Sequence, residues 1–388
     1  MSNETDPIVI AAAARTPMGA FQGALSKTAS TELGSIAIRE TLSRAGLDAE
    51  KVDEVIMGCV LPAGLGQAPA RQAAIGAGVP QSVPCATVNK VCGSGMKTTM
   101  LAADLVAAGS ADIVIAGGME SMTNAPYLLD KARGGYRLGH GKVTDHMFLD
   151  GLEDAYDRGR SMGTFAEDTA QAYQFTREDQ DAYALASLDR ALTAIREGRF
   201  KSEIVPVGDV ADDEQPSRAK PEKIPQLRPA FREGGTVTAA NSSSISDGAA
   251  ALLVTRASVA EKEGLTPIAK IVGHASHAQE PAWFTTAPVF AIRKLMEKTG
   301  WSTADVDLYE INEAFAVVAM AAMRDLDIPH DKVNVNGGAC ALGHPIGCSG
   351  ARIIVTLLAA LKAADQTRGV ASLCIGGGEA TALAVEMM

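Results

Sequence analysis

The 388-residue sequence predicts an α/β fold made of two related halves with a long insertion between them. Three observations predict it. Apolar residues make up 47% of the chain and aromatics only 4%; with 38 glycines, packing falls to Ala, Val, Ile and Leu, as when helices lie on sheets. Short β-branched runs alternate with helical periods, and segments of the first third recur near the C-terminus at a nearly constant spacing.

In chain order, Ile8-Val9-Ile10 reads as a strand, Ser30 to Ala45 as a helix, and Val55-Ile56-Met57 as a strand leading into Gly-Pro-rich turns. Parallel sheet with covering helices suits that alternation. Ala86 to Val91 reads as a strand, Ser94 to Ala108 as a helix, and Asp112 to Ala116 as a strand ending in Gly117-Gly118. The same plan returns late in the chain. Val333-Asn334-Val335-Asn336 takes the first strand's place, a helix runs from about Ser349 to Ala363, and Ala371 to Ile375 ends in Gly376-Gly377-Gly378. Thr87-Val88-Asn89 recurs as Asn334-Val335-Asn336 at an offset of 247, Ser94-Gly95 as Ser349-Gly350 at 255, and Val52-Asp53 as Val306-Asp307 at 254. Offsets that close suggest duplication with small insertions, although βαβ units also resemble one another by chance.

The middle differs. Residues 133–146 are rich in Gly and charge, and one amphipathic helix follows. Thr176 is its cap, Asp179 takes the capping-box position, Leu185, Leu188, Leu192 and Ile195 recur at spacings of 3, 4 and 3, and Gly198 closes it. Pro206 to Pro229 reads as extended loop. Within it, Arg218, Lys220, Lys223, Arg228 and Arg232 face one acid, Glu222, which fits either a solvated loop or an anchor for a small phosphate-bearing ligand. The expected division is a first half at 1–121 completed by about 245–268, an inserted region at 122–244, and a second half at 269–388.

Composition also excludes. The net charge of -11 disfavours nucleic acid and anionic membranes as partners. The longest apolar runs noted, Ile8 to Ala14 and Phe315 to Met323, are too short to span a bilayer. Met1 to Asp6 is polar and acidic, unlike a secretion signal or transit peptide, so a soluble cytoplasmic protein is expected. Six cysteines in so long a chain read as thiols, not as a disulfide scaffold.

Cys92, in Asn89-Lys90-Val91-Cys92-Gly93-Ser94-Gly95, sits where a strand hands over to a helix, and the helix N-terminus there favours thiolate. His344, between Gly343 and Pro345, lies in the turn that the repeat sets opposite, which would make a Cys/His pair for nucleophilic catalysis. The alternatives are a structural thiol and a satisfied polar histidine. Cys340, His344 and Cys348 have metal-like spacing, but Gly343, Pro345 and Gly347 prevent the helix that would align them, so no metal is expected. Cys374 is read as ending the last strand, at the carboxyl edge where open α/β sheets place their sites; the glycines after it match neither nucleotide-loop pattern. Asn312 reaches the same edge, or caps a helix.

Taken together, five segments in order resemble the motifs of the thiolase family, specifically its acetyl-CoA acetyltransferases: Asn89 to Gly95, Gly117 to Met122, Asn312 to Ala316, Gly343 to Gly347, and Cys374 to Gly378. The resemblance covers essentially the whole chain. It implies two βαβαβαββ halves in five αβαβα layers with an inserted loop domain. It implies Cys92 as the acyl-accepting nucleophile, His344 as the acceptor of its proton, and Cys374 as the acid/base at the α-carbon of the second acetyl-CoA. The enolate oxygen would be met by His344 and a water held by Asn312, and the tetrahedral oxyanion by the N–H groups of Cys92 and Gly376. Carried over in the same way, Met162, Phe231, Ser243, Ala314 and Phe315 line the coenzyme A path, and Arg218 meets its phosphate or adenine. Coenzyme A and acetyl-CoA are then substrates or products with no tightly bound cofactor, and a homotetramer joined through the insertion is implied.

Two positions depart from the family pattern. Ser161 stands where many members have His, and Phe284 where Met is frequent, which bears on acyl-chain length. The competing readings are a 3-ketoacyl-CoA thiolase for longer chains, a decarboxylating ketoacyl synthase, which has a second His in place of Cys374, and a non-catalytic acyl-CoA binder.

Overall fold

The structure, a computed structural model, describes residues 6–388, so the acidic start read above lies, Asp6 apart, outside the described residues. One sheet runs through the molecule. Its strands are β1 (Ile8–Arg15), β2 (Glu54–Gly58), β3 (Cys85–Val88), β4 (Ile113–Ser121), β5 (Ser246–Arg256), β6 (Ala269–Ala278), β7 (Leu308–Ile311), β8 (Arg368–Ile375) and β9 (Glu379–Met387). They lie in the order β7-β8-β9-β6-β1-β5-β4-β2-β3, with Gly19–Ala20 as a short tenth strand on β5.

The path divides naturally at its weakest joint. β1 and β6 meet only through Val9 with Lys270 and Ile10 with Ala269. On one side, β3, β2 and β4 are mutually parallel and β5 and β1 follow antiparallel. On the other, β7 and β8 are parallel and β9 and β6 follow antiparallel. The two halves therefore repeat one plan, as the offsets predicted.

Among the described residues, eight helices of eight residues or more frame the two halves: α1 (Ser30–Ala45), α2 (Pro69–Gly76), α3 (Ser94–Ala108), α4 (Met162–Tyr173), α5 (Arg177–Glu197), α6 (Ala287–Thr299), α7 (Ala316–Leu326) and α8 (Ile346–Ala363). α1 and α2 cover the outer face of the first half around Leu33, Ile38 and Val55, and α6 and α7 cover that of the second around Ile292, Leu295 and Ala319. α3 and α8 lie between the sheets, touching strands of both. They approach closely at glycines. A Cβ on Gly95 would stand 2.7 Å from the Ala351 nitrogen, and one on Gly350 would stand 2.3 Å from that of Met96. α8 corrects the reading of apolar runs: it has 18 residues with a mean hydropathy of 1.6, enough by length and composition to cross a membrane. Nearly all of it is buried between the sheets, and it carries Arg352 and Lys362.

Other expectations change in detail. β4 does not stop at Gly117-Gly118 but runs through them, because they pair with Ala251 and Ala250 of β5. A Cβ on Gly118 would fall 2.0 Å from the Gly347 carbonyl oxygen, so close approach of the other half requires that glycine. β3 ends at Val88, before Val91, whose φ of 46° lies in the left-handed region. Residues 333–336 form no strand: Asn334 has φ 49°, and only Val333 bridges to Tyr309. The Asn334 side chain does the pairing instead, accepting the Ile311 N–H and donating to the Ile311 carbonyl, both at 2.8 Å. Cys374 lies near the end of β8, and β9 follows it, so it does not end the last strand.

In the inserted region the Thr176–Asp179 capping box is complete and Gly198, at φ 71°, closes α5. The helix buries Ala184, Ser187, Ala191 and Ala194 along with Leu188, while Leu185, Leu192 and Ile195 are only half-buried. Close packing explains this, because a Cβ on Gly337 would meet the Ser187 carbonyl at 2.5 Å and the Ala191 Cβ at 2.8 Å. Residues 206–229 are not all extended: a one-turn helix forms at Glu214–Arg218 and a 3-10 turn at Pro221–Gln226. Arg15 of β1 ties this region down, fully buried with Glu203 at 2.6 Å and Asp213 at 2.7 Å.

Candidate active site

Cys92 stands in the turn between β3 and α3. Asn89 Oδ1 accepts the Val91 N–H at 2.9 Å, while Ser94 Oγ accepts the Lys90 N–H at 2.8 Å and donates to the Val91 carbonyl at 2.7 Å. Holding a β-branched residue at positive φ opposes its intrinsic preference by roughly 1–2 kcal/mol. These bonds offset that, and the turn delivers Cys92 into a cavity.

The cavity holds about 50 Å³ and is lined by Val91, Cys92, Gly151, Leu152, Met162, Ser243, Phe284, Ala314, Phe315, His344, Ile346 and Gly376. Both halves and the insertion contribute. His344 comes from the second half: its N–H donates to the Ser244 carbonyl at 3.0 Å, and Gly343 before it has φ 105°. Gly376 comes from the turn between β8 and β9. Gly151 and Leu152 ride on a π-helical turn, Phe148–Leu152, a rare geometry that recurs near functional sites. Met162 opens α4, and its sulfur would sit 3.4 Å from a Cβ on Gly376. Ser243 spends its hydroxyl on the Ala314 carbonyl at 3.0 Å, and Phe231 packs edge-on against Phe315 at 5.9 Å between centroids.

Cys374 and Asn312 stand just behind this lining. Cys374 is fully buried among Phe165, Ala166, Phe315 and Val318. Asn312 Nδ2 is 3.5 Å from His344 Nδ1, and α7 starts only at Ala316, so Asn312 is not its N-cap. Arg218 is not in this cavity. It pairs with Glu214 at 3.0 Å and lines a second cavity of about 310 Å³ with Lys220, Lys223, Leu188, Leu227 and Ser244. Ser243 faces the first cavity and Ser244 the second, so adjacent residues connect the two.

Electrostatics corrects one expectation. The N–H groups of Gly376 and of Cys92 itself do converge on the thiol, but burial outweighs them and pushes the Cys92 pKa up to about 11. Burial, helped by Arg352, lowers His344 to about 3. The resting pair is therefore thiol and neutral imidazole, not a pre-formed thiolate. Cys374 is raised well above the usual thiol range by burial and then by the charge Cys92 would carry. The metal reading finds no support: among the described residues no group of three or more His, Cys, Asp or Glu is placed to hold an ion, and Gly343 separates the turn carrying Cys340 from α8 carrying Cys348. All six cysteines are free.

Several residues escaped sequence reasoning. Glu120 lies within the Gly117–Met122 segment with no pattern of its own that marks it. It is fully buried, and its carboxylate accepts the N–H groups of Val60, Leu61 and Gly347 at 2.9, 3.1 and 3.0 Å. Lys90 pairs with Glu379, linking the Cys92 turn to the Gly376 turn. Ile346, Gly151 and Leu152 carry no polar signal that would have marked them. Glu313, beside Asn312, is tied by Tyr183, Ser187, Asn334 and the Cys340 N–H, so it anchors α5 to the loop before His344.

Fold and site together define an α/β protein of duplicated halves whose cysteine and histidine turns open on one cavity. The chain belongs to the thiolase family: the family model described as "Thiolase, N-terminal domain" matches residues 8–258, and "Thiolase, C-terminal domain" matches residues 265–387. Acetyl-CoA acetyltransferase 2 of Arabidopsis thaliana is 52% identical over 98% of this chain and 97% of its own length. The acetyl-CoA acetyltransferase of Escherichia coli (strain K12) is 50% identical over 98% and 99%. Among solved structures, that of Acat5 thiolase from Ascaris suum in complex with coenzyme A matches with a TM-score of 0.95 and 42% identity, covering 98% of this chain and all of that one.

Proposed function

We propose that the chain is an acetyl-CoA C-acetyltransferase, condensing two acetyl-CoA molecules to acetoacetyl-CoA and coenzyme A and catalysing the reverse thiolysis. The observation that carries this is the narrow cavity shared by Cys92, His344 and the Gly376 N–H turn, with Cys374 directly behind it. The near-full-length relatives of that name support the same reading.

In the first half-reaction Cys92 Sγ attacks the thioester carbonyl and its proton passes to His344 Nε2, a buried nitrogen with no partner among the described residues. The N–H groups of Cys92 and Gly376 meet the oxyanion. The bond from carbonyl carbon to coenzyme A sulfur breaks, leaving acetyl-Cys92, and the departing thiolate takes the Cys374 proton. The Cys374 thiolate then removes an α-proton from the second acetyl-CoA, with the enolate oxygen held by the protonated His344 and a water on Asn312. The enolate carbon attacks acetyl-Cys92, and Cys92 leaves and recovers its proton from His344.

The inserted region, at 122–244 in this reading, handles coenzyme A through Met162, Phe231 and Ser243, with Arg218, Lys220 and Lys223 of the larger cavity facing the phosphates. Ala314 and Phe315 of the second half complete the thioester path. The near-full-length relatives named acetyl-CoA acetyltransferase favour this over the longer-chain 3-ketoacyl-CoA reading. A homotetramer in a reducing, cytoplasmic compartment completes the proposal. The free thiols suit such a compartment, and Tyr127, Leu129, Leu138, Val143 and Tyr156, exposed on the inserted region, suit a subunit contact.

Incubation with acetyl-CoA followed by peptide mapping tests substrate and nucleophile together. An acetyl group on the Cys92 peptide, absent in Cys92→Ala, is expected; an adduct on another cysteine overturns the assignment. Light scattering of the purified chain tests the tetramer.

A further inference from the structure

We propose that Ser349 is a positioning residue of the site: its hydroxyl accepts the Nδ1–H of His344 and so fixes the imidazole tautomer that leaves Nε2 as the lone-pair nitrogen. The proposal rests on the reading of His344 as the base for Cys92.

The hydrogen-bond inventory of one hydroxyl carries it. Ser349 Oγ lies 2.5 Å from His344 Nδ1, and the same hydroxyl donates to the Pro345 carbonyl at 2.9 Å. A serine hydroxyl has one hydrogen, and the proposal assigns it to that carbonyl, the i−4 bond that a serine on a helix makes. Toward His344 the oxygen can then only accept, so Nδ1 must hold the proton. Ser349 is fully buried in the first turns of α8 next to Gly350, whose backbone abuts Met96, so the oxygen is held at this place.

The rival contact is Asn312, whose Nδ2 is 3.5 Å from the same nitrogen. That distance lies outside the ordinary range for an N–H donor, and the Asn312 Oδ1 is buried with no partner among the described residues. Asn312 therefore does not oppose the tautomer that Ser349 selects. Because burial keeps the ring neutral, tautomer rather than charge decides whether Nε2 can take a proton.

The duplicated fold supplies an independent parallel. Ser94 is the counterpart of Ser349 in the first half, and its Oγ also donates back along the chain, to the Val91 carbonyl, while accepting a hydrogen bond from the Lys90 N–H. One serine holds the cysteine turn and its repeat holds the histidine.

The test starts with wild-type protein, so it does not depend on a variant folding. With ¹⁵N-labelled histidine at neutral pH, one of the six side chains should show a protonated Nδ1 and an unprotonated Nε2, and its signals should vanish in His344→Gln. A proton found on Nε2 overturns the proposal. In Ser349→Ala the proton should move wholly or partly to Nε2; an unchanged tautomer also overturns it. Iodoacetamide alkylation of Cys92 and acetyl transfer should both slow by about tenfold or more in that variant, with KM for acetyl-CoA within about twofold of wild type. If the tautomer moves but neither rate changes, the placement of Ser349 stands and the role of His344 as base falls.

Discussion

Glu120 Oε2 accepts the backbone N–H of Gly347 at 3.0 Å, joining β4 of the first half to the start of the helix that follows His344 in the second. Its other bonds hold Val60 and Leu61, the residues that follow β2. A buried carboxylate with three backbone donors fixes the histidine turn relative to β4 and the loop after β2. In Glu120→Gln an amide N–H must face one of those donors. The expected cost is about 1–3 kcal/mol of stability, read from denaturant midpoints, together with a lower kcat at nearly unchanged KM.

Cys374→Ala should still form acetyl-Cys92, more slowly because the departing coenzyme A loses its proton donor, and should abolish carbon–carbon bond formation and cleavage. Mass spectrometry of the acyl-enzyme beside a condensation assay separates the two steps. Equal loss of both would remove Cys374 from its place as the second acid/base.

Phe284 closes the acyl cavity and packs edge-on against Phe165 at 6.1 Å between centroids. The wild-type chain should cleave acetoacetyl-CoA in preference to 3-ketooctanoyl-CoA. Phe284→Ala should raise the relative rate on the longer substrate by about tenfold and lower stability by about 3–5 kcal/mol. A wild-type preference for the longer substrate would overturn the acetyl assignment.

Two buried groups give opposite pH slopes of stability. His344, lowered from 6.5 to about 3, contributes stability that is complete above pH 6.5 and is lost as pH falls toward 3, since the unfolded chain binds the proton first. Glu120, raised from 4.5 to about 7, contributes stability that is complete below pH 4.5 and is lost as pH rises through 7. Between pH 4.5 and 6.5 the two oppose each other. Denaturant midpoints across this range should therefore fall less steeply on acidification in His344→Gln than in wild type, and more steeply in Glu120→Gln.

The helices were legible: α1 and α3 begin and end at the expected residues, closed by Gly46 and Gly109 without a side-chain N-cap, and the α5 capping box is complete. Strand ends were not, because tertiary contacts set them. Gly117-Gly118 reads as a terminator alone and becomes mid-strand once β5 pairs with it, while Asn334 reads as strand yet pairs through its side chain. The paired cysteine and histidine turns were visible because glycine-dense strand-to-helix turns are uncommon and were repeated. The protonation state was not visible. A helix N-terminus next to Cys92 argues for thiolate, and only the three-dimensional burial shows that desolvation prevails. Glu120 and Ser349 were hidden for a related reason, since their partners lie in the other half or in a local hydroxyl geometry that spacing does not encode.

The close approach of α3 and α8 has an evolutionary reading. Gly95 abuts Ala351, and Gly350 abuts Met96; at the 255-residue offset, Gly350 is the repeat of Gly95 and Ala351 that of Met96. The contact is thus isologous, each partner presenting the same patch to the other, as at the interface of a homodimer. The crossing has the symmetry that two identical chains paired on one axis would show, as duplication of a single half would leave it. Across that symmetric contact the two turns are unlike, with Cys92 on one side and His344 on the other.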